Sequence, residues 1–162
     1  MRLTRVVPVL PVVVACGFLV ARSVSAAPGC MISATLVAFG NYDAFATLPT
    51  DSMGTITYRC TGLGNAGTVT ISLDAGTWSP TSAQRQMASI SALGQNLLPY
   101  NLYTDPARTQ LWGDQGNNAQ QYGPVHPPNG RSVAVPVYGR IQPHQDVAAG
   151  SYSDVITATI NF

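Results

Sequence analysis

Gly150-Ser151-Tyr152-Ser153-Asp154-Val155-Ile156-Thr157-Ala158-Thr159-Ile160-Asn161-Phe162 is the stretch whose reading decides the fold. Ile156, Ala158, Ile160 and Phe162 fall on one face of an extended chain. Val155, Thr157, Thr159 and Asn161 fall on the other. Period-two alternation in β-branched and aromatic residues marks a half-buried strand. No later stretch of this sequence can pair with it, so it must pair with earlier strands. One of its edges is then predicted to lack a partner within the chain. An open apolar edge invites aggregation unless something covers it.

Further strands precede it. Residues 132–141 place Val133, Val135, Val137 and Ile141 on one face, with Pro136 on the other marking an edge or bulge. Residues 97–104 form a strand interrupted by Pro99. Residues 68–73 turn Val69, Ile71 and Leu73 inward, and residues 53–60 turn Ile56, Tyr58 and Cys60 inward. Residues 30–39 make a first strand of mixed pattern, and a strand is expected near 120–125. The stretch 75–96 is polar and broken, with short extended pieces around Arg85 and Met87. About seven short strands separated by turn signals predict an all-β chain, an immunoglobulin-like β-sandwich. A jelly roll or small barrel has the same strand count.

Composition agrees. The chain has 162 residues, eight Arg, no Lys, seven Asp and no Glu. Strong surface helix formers are missing, while Thr, Val and Gly abound. Arg2 and Arg5, the apolar run 6–20 and Val24-Ser25-Ala26 read as an export signal over residues 1–26, cut after Ala26. The run is shorter than the ~20 residues of a membrane span, and Pro8 and Pro11 interrupt it. Val13-Val14-Ala15-Cys16 resembles a lipobox, but apolar sequence continues past Cys16. Residues 27–162 form one domain with five Arg and seven Asp. That balance argues against nucleic acid as a partner. Cys30 and Cys60 remain after the cut, and an even pair in an exported chain reads as a disulfide. Closing that loop would contribute about 3–4 kcal/mol.

No catalytic constellation is visible: there is no G-x-S-x-G and no H-E-x-x-H. Asp43, Asp74, Asp105 and Asp114 each lie near Gly, Asn or Pro, where Asp commonly closes a turn. His126 and His144 are isolated, so no metal site and no cofactor are expected. Among the aromatics, Trp78 and Trp112 lie in loop stretches and are the candidates for surface ligand contact.

Taken together, several motifs resemble the spore coat protein U domain family. They are Cys30, Phe39-Gly40-Asn41-Tyr42-Asp43, Cys60, Arg85-Gln86-Met87, residues 98–105, Pro136-Val137-Tyr138-Gly139-Arg140-Ile141 and Gly150-Ser151-Tyr152-Ser153-Asp154. That family is similar to the subunits of archaic chaperone–usher pili of Gram-negative bacteria. The resemblance implies an incomplete immunoglobulin-like sandwich lacking its last strand. A periplasmic chaperone lends a strand during export through the outer-membrane usher, and a neighbouring pilus subunit then fills the groove. It also implies the Cys30–Cys60 disulfide. The groove residues carried over are Ile156, Ala158, Ile160 and Phe162, with Ile32, Leu36 and Phe39 from the first strand. The expected role is adhesion or biofilm formation at the cell surface. Only Ala27, Pro28 and Gly29 separate the expected cut from Cys30, which suggests a subunit that receives a strand and gives none, at the tip. Three alternatives stand beside this: a secreted coat-type protein whose own chain fills the groove, a carbohydrate-binding module using loop aromatics, and a hydrolase with an Asp pair.

Overall fold

A computed structural model describes residues 27–89 and 96–162; the expected export signal lies outside the described residues. Ten strands follow in order: β1 (Gly29–Ala34), β2 (Thr50–Thr61), β3 (Val69–Leu73), β4 (Gln86–Ser89), β5 (Leu97–Pro99), β6 (Asn101–Tyr103), β7 (Tyr122–Val125), β8 (Ser132–Ile141), β9 (Tyr152–Ser153) and β10 (Ala158–Asn161). The described residues contain no helix, so the chain is all-β. All strand pairings are antiparallel, in three sheets ordered β1-β2-β8-β6, β10-β3-β7 and β5-β4-β9.

The core forms where the first sheet meets the other two. Ile56, Tyr58 and Cys60 of β2 alternate with exposed or half-exposed neighbours, and Val135, Val137 and Ile141 do the same on β8. Their buried face packs against Val69, Ile71 and Leu73 of β3, Met87 of β4 and Leu98 of β5 in one cluster. Rings tie the sheets together. Tyr58 meets Tyr122 edge-on at 6.3 Å between centroids, and Trp112 meets Tyr122 at 6.1 Å. Cys30 lies directly opposite Cys60 in the β1–β2 ladder, and the two form a disulfide.

Two strands differ from the sequence expectation. The first ends at Ala34 rather than near Phe39, because Thr35 breaks the ladder: its N–H donates to Thr55 O, and its hydroxyl accepts from Thr55 N–H. The register of inward residues then slips by one. Ile32 faces the core before the break, and Val37 and Phe39 face it afterwards. The last strand is split into β9 and β10, since it pairs first with β4 and then with β3.

The slip needs room, and two glycines supply it. A Cβ at Gly54 would lie 2.8 Å from Val37 Cγ2, and a Cβ at Gly139 would lie 2.7 Å from both Val37 Cγ1 and Phe39 Cζ. Val37 and Phe39 thus rest on bare backbone of β2 and β8. Gly139→Val is expected to lower stability by about 1–3 kcal/mol by overpacking this seat. The denaturation midpoint should fall, with the slope unchanged.

Candidate functional site

An elongated groove of about 900 Å³ runs between residues 34–45 on one side and 147–158 on the other. Its floor is the core itself: Ile56, Leu73, Met87, Leu98, Leu102 and Val137 reach it. The groove therefore lies directly against the core, although these floor side chains are themselves buried.

Two edge strands reach it, β1 through Ala34 and β10 through Ala158. β1 pairs only with β2, and β10 only with β3, among the described residues. The other edges are defended. β5 ends on Pro99, β7 carries Gly123-Pro124, and β6 is three residues long. Proline and shortness are the usual ways to stop unwanted strand pairing. Neither β1 (GCMISA) nor β10 (ATIN) contains a proline or a charge. β9, also an edge, is only two residues long, so β1 and β10 are the longer edges left able to pair.

On the β10 rim, Ile156, Ala158 and Ile160 are half-buried and pack on the core, whereas Val155, Thr157 and Thr159 are exposed. Phe162 is largely exposed beyond the strand. On the opposite rim Ile32 and Phe39 pack on the core. Leu36 lines the groove mouth but is 88% exposed, because the slip at Thr35 gives the inward position to Val37. Val37, which the expected set of Ile32, Leu36 and Phe39 does not include, packs on the core in its place. Phe39 packs edge-on against Tyr100 at 5.9 Å.

A polar joint fixes the kink between β9 and β10. Asp154 Oδ1 accepts from Thr77 N–H and from its neighbour Val155 N–H, and Asp154 Oδ2 accepts from the Tyr100 hydroxyl at 2.9 Å. Asp74 holds Thr157 from both sides: Asp74 N–H donates to Thr157 O, and Asp74 Oδ1 accepts from Thr157 N–H. Behind them Arg85 is fully buried and donates to the carbonyls of Leu73, Asp74 and Ser82. Burial pulls its pKa below the usual value, opposed by nearby Tyr100, Asp74, Asp154 and Asp114. Burial also raises the Tyr100 phenol, with the Asp154 charge acting in the same direction. Nothing in the sequence signals that Arg85 is interior, since arginine is ordinarily a surface residue.

The two tryptophans separate. Trp78 remains partly exposed in its loop, at 43%. Trp112 does not offer a surface contact. It is wholly buried, its indole N–H donates to Ile71 O at 2.9 Å, and its ring packs on Tyr122. A tryptophan in a loop stretch can still be core when the loop folds inward and its N–H finds a carbonyl. Among the described residues no three His, Cys, Asp or Glu side chains converge where a metal could bind.

The Spore Coat Protein U domain profile matches residues 17–159 of the sequence. The chain belongs to this family. Protein U of Myxococcus xanthus is 31% identical over 132 residues, an alignment spanning 76% of this chain and 70% of that protein. Among solved structures, the fold is similar to a chain in the CsuC–CsuE chaperone–tip adhesion subunit pre-assembly complex from the archaic chaperone–usher Csu pili of Acinetobacter baumannii. The TM-score is 0.55 at 23% identity, over 83% of this chain and 40% of that one. As a Spore Coat Protein U domain the chain is a structural protein rather than an enzyme. Of the family motifs read from the sequence, residues 39–43, Met87, Tyr100 and Asp154 line the groove, whereas Arg85 does not.

Proposed function

We propose that this chain is a structural subunit of an archaic chaperone–usher surface pilus, built as an immunoglobulin-like sandwich whose last strand comes from a partner. The observation that carries the reading is the groove of about 900 Å³ between residues 34–45 and 147–158, which continue into β1 and β10, the longer sheet edges that lack proline and charge. An extended segment with alternating apolar side chains fits such a site. Its backbone pairs with the free edge, and every second side chain enters the groove. Ile156, Ala158, Val37 and Phe39 line the groove and would receive those side chains, with Ile160 and Ile32 continuing the same faces along β10 and β1.

In this reading residues 1–26 direct export, and a periplasmic chaperone supplies the first strand. The outer-membrane usher then passes the subunit to its neighbour. The fibre serves adhesion or biofilm formation. The short lead before Cys30 suits a tip or minor subunit that receives a strand without giving one.

Co-expression with a periplasmic chaperone of the archaic chaperone–usher type tests the proposal. The chain should be recovered from the periplasm as a one-to-one complex, and a synthetic donor peptide from a shaft subunit of the same operon should replace the chaperone. With the peptide bound it should stay monomeric; head-to-tail self-polymerisation would overturn the tip role. A second reading draws on the 31% identity to Protein U. In it the chain is a coat-type secreted protein whose own segment fills the groove. That reading predicts a stable, soluble monomer without chaperone or peptide.

A further inference from the structure

A second cavity, of about 520 Å³, lies outside the groove and shares with it only the wall formed by Tyr100. It is built on the outer face of the β6–β8 edge. Asn101 and Tyr103 alternate with core-facing Leu102 and so share one face of β6. Arg140 of β8 lies directly opposite Asn101. The loop around Ala83 covers one side, tied down by Asn101 Nδ2 donating to Ala83 O at 3.1 Å. Gln145 closes another side, its amide nitrogen donating to Pro99 O and Gln142 O at 2.9 and 3.0 Å.

The polar groups left over are neutral and mixed. Asn101 Oδ1 is buried and meets no donor. The nearly buried Tyr103 also leaves its hydroxyl without a hydrogen-bond partner among the described residues, as does the Gln86 side chain. A buried acceptor ordinarily finds a partner, and an unmatched one such as Asn101 Oδ1 is costly. No carboxylate lines the cavity. Its two guanidinium groups are engaged: Arg140 grips Asp51 through two bonds of 2.7 and 2.8 Å, and Arg85 is spent on backbone carbonyls. Pro80, Ala83 and Pro99 add apolar surface. A charged ligand would find no free counter-charge here.

We propose that this cavity binds a neutral saccharide of about one or two rings, held by Asn101, Tyr103, Gln86 and Gln145. Sugar hydroxyls donate and accept at once, which matches a lining of amide and phenol groups. The C–H faces of a sugar suit the proline and tyrosine walls. The volume lies within the usual range of about 300–1,000 Å³ for small-ligand sites. The site would give the subunit a contact with glycans that does not depend on what fills the groove.

The test is titration calorimetry of the purified, chaperone-released protein, complemented with donor peptide, against cellobiose, chitobiose, maltose and lactose. At least one should bind with a dissociation constant of about 1 mM or tighter. Tyr103→Phe and Gln86→Ala should each weaken that binding at least tenfold while the thermal midpoint and peptide affinity stay unchanged. Absence of binding by all four disaccharides would overturn the proposal. So would binding that both variants leave intact. Loss of donor-peptide binding with saccharide binding retained would count against the pilus reading and not against this one.

Discussion

Arg85→Met is expected to lower the stability of the domain by about 3–5 kcal/mol, as when one member of a buried charged network is removed. The guanidinium is wholly buried and donates to three carbonyls, those of Leu73, Asp74 and Ser82. Methionine fills much of the volume but takes the guanidinium donors away from all three carbonyls. Each orphaned group costs about 1–3 kcal/mol. It also removes the positive charge that faces Asp74 and Asp154, the two carboxylates that hold the kink of the last strand. Chemical denaturation should show a large fall in midpoint. Tyr100→Phe, which deletes one hydrogen bond to Asp154, should cost only about 1 kcal/mol. A change in Arg85→Met within about 0.5 kcal/mol of wild type, the usual range for a surface substitution, would contradict the assignment.

The second large effect concerns the groove. Ile160→Asp is expected to abolish recovery with the chaperone and to weaken donor-peptide binding by more than about a hundredfold. Ile160 stands opposite Ile71 in the β10–β3 ladder and packs on the core two residues beyond the groove-lining Ala158. A carboxylate there must be desolvated when the groove is filled, at a cost of several kcal/mol. Thr159, one position earlier, is exposed and stands opposite Ser72. Thr159→Asp should stay within about tenfold of wild type, since a surface charge is cheap. Peptide titration of the two variants side by side reads the difference. Equal loss in both would mean that the faces of β10 are not used as described.

The parts legible in the sequence are those where one rule acts alone. Strands β2, β3 and β8 alternate strictly and bury one face against one core, so Ile56, Tyr58, Val69, Ile71, Val135 and Val137 could be placed inside from spacing. The inward face of residues 156–160 followed in the same way. The rest depended on contacts distant in sequence. The slip that exchanges Leu36 for Val37 is set by Thr35 bonding across to Thr55. The signal for it lay in another part of the chain. Gly54 and Gly139 sit inside otherwise β-branched strands, and a glycine inside a strand marks close approach of another segment. Trp112 is interior because Ile71 O is placed to accept its N–H, a partner no local pattern reveals. Arg85 is interior because three carbonyls converge on it, two of them at the end of β3.

Hydrogen exchange of the amides in residues 156–161, with and without a donor peptide from a shaft subunit of the same operon, tests the central claim most directly. The amides that do not bond to β3 should exchange quickly in the free protein and become strongly protected when the peptide binds. Protection should extend to residues 34–39 on the opposite rim. A bound peptide that leaves these amides exchanging as before, or that protects the edge of β7 instead, would contradict the account.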